Sequence, residues 1–159
     1  MKTIVRYGVI LGVLVEIWTC VMIASGWYRD PVLLMLFFLV IPLQVTVLVM
    51  ALRETAAAGA VYAKQVLNGV GISLIAGVII LFGSVFLTTV VFPDYFPDLK
   101  SLGMEMLSKA GRTAEEVESQ MRVNAALYDP WQNGLRGFIG TLVTGAVVTA
   151  ITGAFIRKR

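Results

Sequence analysis

Residues 7–27 read YGVILGVLVEIWTCVMIASGW, an apolar run with one carboxylate, Glu16, near its middle. Crossing a hydrocarbon core of about 30 Å takes roughly 20 helical residues, so the run is long enough to span a bilayer. On a helix Gly8, Gly12, Glu16, Cys20 and Ala24 fall at every fourth position and share one narrow face. A charge inside the membrane is costly unless it is neutralised or paired, so this spacing predicts that Glu16 faces other helices. Lys2 and Arg6 before the run, and Ala24-Ser25-Gly26 within it, resemble a secretory signal. The internal carboxylate and a second apolar run a few residues later favour a retained helix.

Working outward, runs of spanning length cover about 4–27, 31–52, 66–92 and 131–156, leaving one long polar segment, 93–130. The 159 residues are 58% hydrophobic and 14% charged, which is too apolar for a domain with a wetted surface. The expected fold is therefore all-α and polytopic, an antiparallel four-transmembrane-helix bundle. It forms a single membrane domain over 1–159 with an extracytoplasmic helical insertion at 93–130. The chain has no histidine and one cysteine, Cys20. That inventory excludes histidine-ligated haem, the usual Cys/His zinc sites, Cys-His nucleophiles and internal disulfides, and no cofactor or metal is expected.

Charge sets the expected orientation. Lys2, Arg6, Arg53, Lys64, Arg157, Lys158 and Arg159 share one side with a single acid, Glu54, whereas the cations of 93–130 are mixed with seven acids. Positive flanks stay inside, so both termini are expected in the cytoplasm. The net charge of +3 then reflects topology, and no nucleic-acid partner is expected.

Local signals punctuate the runs. Asp30-Pro31 and Asp129-Pro130 each read as an N-cap followed by a proline at the first helical position. Pro42 predicts a kink or local widening of the second helix, and Arg53–Gln65 reads as a cytoplasmic interfacial loop. Gly69, Ser73 and Gly77 make a close-contact face confined to the inner half of the third helix. Thr141, Gly145, Thr149 and Gly153 make another on the fourth, where Arg136 reads as a snorkelling anchor. In the polar segment a helix from about Asp98 to Ala110 ends at Gly111, and Thr113-Ala114-Glu115-Glu116 opens a second with a capping box.

At about 1.5 Å per residue, Glu16 and Thr144 fall roughly 18 Å from the cytoplasmic ends of their spans, and Gln44 and Ser73 roughly 10–12 Å. These four residues make a candidate intramembrane polar layer, with Gln44 the expected partner of a neutral, hydrogen-bonded Glu16. In the polar segment Leu99, Leu102, Met106 and Met121 are candidate contacts for a partner chain.

Tyr7-Gly8, Pro93-Asp94-Tyr95, the Gly111 break before Glu115-Glu116, and Tyr128-Asp129-Pro130 together resemble the bacterial membrane proteins of the domain of unknown function 4199 family. The resemblance implies a bacterial inner-membrane helical bundle. It brings no activity or catalytic residues, and Glu16 maps to no motif of the family.

Three function classes follow. The small size, close-packing faces and helical insertion point to a non-enzymatic accessory or structural subunit of a larger membrane assembly. Its expected partners are membrane lipids and another membrane protein or a second copy of the chain. Glu16, Gln44 and Pro42 point instead to a small transporter or a proton- or ion-conducting unit. A membrane enzyme fits least, because Glu16 has no visible partner acid, metal ligand or activated nucleophile in the sequence.

Overall fold

A computed structural model describes residues 2–156. The tail cations Arg157, Lys158 and Arg159, which enter the orientation argument, lie outside the described residues. In chain order the helices are α1 (Lys2–Ala24), α2 (Pro31–Ala57), α3 (Tyr62–Val91), α4 (Tyr95–Lys109), α5 (Ala114–Val123) and α6 (Pro130–Ile156). Helices α1, α2, α3 and α6 are each long and apolar enough to cross a membrane, and no strand occurs among the described residues. The protein is an all-α, multi-pass membrane bundle in which successive spans run antiparallel.

The caps form as the sequence predicts. Asp30 Oδ1 accepts the backbone N–H of Val32 at 2.7 Å, and Asp129 Oδ1 accepts that of Gln132 at 2.8 Å. Thr113 and Glu116 close a reciprocal capping box.

The loop expected at Arg53–Gln65 shrinks to a turn, because the alanine-rich stretch favours helix and carries α2 on to Ala57. Gly59 then takes φ 85°, and the N–H groups of Gly59 and Ala60 bond back to the carbonyls of Ala56 and Thr55. Buried Gln65 fastens this turn, accepting from Thr55 Oγ1 at 2.6 Å and donating to the Leu52 carbonyl at 3.1 Å. In the polar segment the first helix starts at Tyr95, three residues ahead of the expected Asp98, and Pro97 fits its first turn.

The widening expected near Pro42 is replaced by tightening, with a 3₁₀ stretch at Met35–Leu39 in the turn before the proline. That stretch presents the Leu36 carbonyl to Trp18 Nε1 at 3.1 Å, tying α2 to α1. Widening occurs in α3 instead, as a π turn at Leu87–Val91. There the hydroxyls of Thr88 and Thr89 bond the carbonyls of Ser84 and Val85, each at 2.7 Å, competing with the backbone ladder.

Helix α3 is the hub, with a different partner on each of two faces. Against α1 the register is parallel: a methyl placed on Gly71 would touch Ile4, one on Gly8 would meet Ile75 at 2.7 Å, and one on Gly12 would meet Ile79 at 2.8 Å. Each glycine admits a branched side chain from the other helix. Against α6 the register is antiparallel, pairing Gly69 with Thr149, Ser73 with Gly145, Gly77 with Phe138 and Leu81 with Gly134. Close packing therefore extends beyond the inner half of α3, because in its other half Gly134 lies against the Leu81 backbone and Gly83 admits the Glu16 side chain. Helix α2 completes the ring, and Leu11, Val47, Leu48, Ala51, Ile72 and Ala76 form the apolar centre.

Helix α4 packs at the end of the bundle where α1 finishes, and α5 packs on α4. Ile23, Tyr28, Tyr95 and Phe96 make a second buried cluster there, with the rings of Tyr28 and Tyr95 edge-on at 4.9 Å.

Candidate functional site

Glu16 lies on the seam between α1 and α3, the next step in the ladder after Gly8 and Gly12. Opposite it is Gly83, where an added methyl would fall 2.7 Å from the Glu16 carboxyl carbon, so the absence of a side chain there makes room for the glutamate. Ser84 Oγ donates to Glu16 Oε1 at 3.0 Å. The other oxygen, Oε2, is shielded and has no hydrogen-bond donor among the described residues. The carboxylate borders a groove of about 320 Å³ on the wall of the bundle, lined by Val13, Ile17, Cys20, Ile79, Phe86 and Leu87. It is half-buried.

The expected Glu16–Gln44 pair does not form. Gln44 faces α6, where its Nε2 donates to the Thr141 carbonyl at 2.7 Å. Ser73 is fully buried against Gly145, and its Oγ has no partner among the described residues. The Gln44 amide flanks the same glycine, and Thr144 and Gln44 line one cleft. Gln44, Ser73 and Thr144 thus share a level. Glu16 sits apart, beside Ser84, about three turns or roughly 16 Å further along α3. The spans do not start in one plane, and the knob-and-hole contacts of α1 on α3 set Glu16 against Gly83.

The cleft occupies about 490 Å³ where α2 and α6 part, toward the α4–α5 end of the bundle. Thr19, Ser84 and Thr88 form its floor, and Arg136 is at its rim.

A polar clasp joins the α1–α2 turn to α4. Tyr28 Oη donates to Asp98 Oδ2 at 3.0 Å, and Arg29 Nη2 pairs with the same oxygen. The Arg29 hydrogen bond first, and that of Tyr28 second, hold the Asp98 carboxyl below its ordinary range. Burial, and then the bond to Asp98, push the Tyr28 phenol up. At the opposite end of the bundle Glu54 of α2 accepts from Thr3, Arg6 and Tyr7 of α1.

The candidate partner contacts do not make one outward face. Leu99 and Leu102 pack onto the Tyr28–Tyr95–Phe96 cluster, Met121 is buried, and only Met106 among the four is exposed. The apolar side of α4 is used to cover the end of the bundle. Two features lie outside the sequence expectations: Ser84, the donor to Glu16, and the α3 face that receives α1. Gly71, Ile75, Ile79 and Gly83 carried the signal, at the same spacing of four as the glycines opposite.

Comparison with curated proteins and with solved structures finds no match. A family model described as Protein of unknown function (DUF4199) matches residues 6–158, nearly the whole chain. Four apolar helices of spanning length accord with that match, and the chain belongs to this family of membrane-type helical proteins.

Proposed function

We propose that the protein is a non-enzymatic accessory or structural subunit of a larger membrane assembly. It would sit in a bacterial inner membrane with both termini cytoplasmic and residues 93–130 extracytoplasmic. The observation that carries this reading is the Glu16 seam. A half-buried glutamate bordering a groove on the bundle wall is costly beside lipid, and a helix of another membrane protein laid in the α1–α3 groove would cover it. Beside the groove Val5, Val9, Val13, Ile17 and Val21 form an exposed apolar stripe along α1.

Purification from native membranes in mild detergent is expected to retain a partner chain with wild type and with Glu16→Gln, whose amide still bonds Ser84. Glu16→Leu should release the partner, and deletion of Leu99–Leu127 should not. A chain that purifies alone as a monomer, or a leucine variant that keeps every partner, overturns the reading. A homo-oligomer captured by cross-linking would place a second copy in the groove. A small transporter or proton- or ion-conducting unit is a second reading, favoured by Ser84, which bonds Glu16 and also lines the cleft. It requires a Glu16→Gln variant that assembles normally but loses transport.

The orientation has its own test, made in a Cys20→Ser background. Ser119 and Ala57 are both exposed on the fold, so cysteines there are open to reagent from whichever side they face. Ser119→Cys should label from outside intact cells and Ala57→Cys only after lysis. The reverse pattern would place the termini outside.

A further inference from the structure

We propose that the cleft between α2 and α6 binds one acyl chain of an anionic membrane lipid, whose acidic headgroup pairs with Arg136. The volume of about 490 Å³ lies in the range of built ligand sites, roughly 300–1,000 Å³. The polar residues on its floor are already engaged within the protein. Thr19 bonds the Val15 carbonyl at 3.0 Å, Thr88 bonds the Ser84 carbonyl at 2.7 Å, and Ser84 donates to Glu16. The Gln44 amide donates to Thr141. With these groups occupied, the cleft offers mainly apolar surface from residues such as Phe37, Phe38 and Ile41, which suits a hydrocarbon chain better than a polar solute.

Its mouth is charged. Arg136 forms no ion pair with any carboxylate among the described residues, and it is exposed at the rim. It stands about 9 Å into α6 from Pro130, a depth from which a long basic side chain reaches the headgroup layer. A guanidinium binds a phosphate in two-pronged fashion, so charge selects an acidic headgroup. Entry is from the side: Phe38, Ile41 and Gly140 on the lip are exposed on the bundle wall. The space exists partly because Gly140 has no side chain, and a methyl built there meets nothing within 4 Å.

The test uses the full chain, delipidated in detergent, with phosphatidylglycerol, phosphatidylcholine or inorganic phosphate added in turn. Retained lipid is read by native mass spectrometry and stabilisation by the thermal midpoint. Phosphatidylglycerol is expected to be retained and to raise the midpoint well beyond phosphatidylcholine or phosphate. Arg136→Gln should weaken its retention about tenfold or more, as loss of a charge-assisted bond predicts. Gly140→Leu should block it by filling the cleft, without lowering the lipid-free midpoint. Equal retention of the two lipids, a Gln variant that keeps the preference, or a Leu variant that still binds would each overturn the proposal. So would a midpoint rise with phosphate alone equal to that with lipid. Should the leucine variant fold poorly, Arg136→Gln at an exposed position still decides the headgroup.

Discussion

Gly145→Val is expected to destabilise the protein by about 1–3 kcal/mol or more, the usual cost of overfilling a packed interior. A Cβ built on Gly145 falls 2.6 Å from the Cβ of Ser73. Ser73 has nowhere to withdraw, since it is fully buried on the face of α3 that meets α6. In lipid no hydrophobic force draws helices together, so close approach at small residues supplies most of the attraction. Valine at this point parts α3 from α6 along the seam that also includes Gly69 and Thr149. Alanine is milder, because its helix propensity returns up to about 1 kcal/mol relative to glycine. Adding Ser73→Gly to Gly145→Ala should recover stability beyond the sum of the single changes, as contacting residues do. Gly140→Ala, with open space around it, should show that propensity gain alone and is the control. Reversible unfolding in mixed micelles measures all five, Ser73→Gly alone included, and a valine variant as stable as wild type shows that the seam does not hold the helices together.

Phe96→Ala should cost about 3–5 kcal/mol, the range for truncating a buried aromatic side chain. Phe96 is 5% exposed and packs with Ile23, Tyr28 and Tyr95, joining α4 to the end of α1. The aromatic cluster fastens α4 to the α1 end of the bundle. The Arg29–Asp98 pair beside it is solvent-facing, so Asp98→Asn is expected to matter far less. Hydrogen exchange separates the two effects. With Phe96→Ala, amides of α4 and α5 should exchange much faster while those within α1, α2, α3 and α6 keep their protection. If α4 stays as protected as in wild type, the segment is held by something other than this cluster.

The segment also shows how far a sequence pattern reaches. Its helices were legible from Gly111, the Thr113 capping box and the apolar spacing of Leu99, Leu102 and Met106. Whether those apolar residues face outward was not, because the same stripe serves either a partner or the bundle's own end. Leu99 and Leu102 turned to Tyr28, a residue from a turn far away in the chain. Glu16 follows the same rule. Its placement on an interhelical face was readable from Gly8 and Gly12 at spacing four, but its partner was not, since Gln44 and Ser84 are both polar residues on other spans.

From the sequence alone came the four spans, their caps at Asp30 and Asp129, the break at Gly111, and the small-residue faces of α1, of α6 and of one side of α3. These rest on interactions within a few residues along the chain: turn-by-turn hydrogen bonding, helix propensity and the length needed to cross lipid. Tertiary structure alone decided that α3 receives α1 in parallel and α6 in antiparallel register. It also paired Glu16 with Ser84 and opened a cleft between α2 and α6 behind Arg136. Those choices depend on which side chain fits which gap across two helices, Ile75 over Gly8 or Ser73 over Gly145, and a spacing of four on one helix does not specify the register of its neighbour.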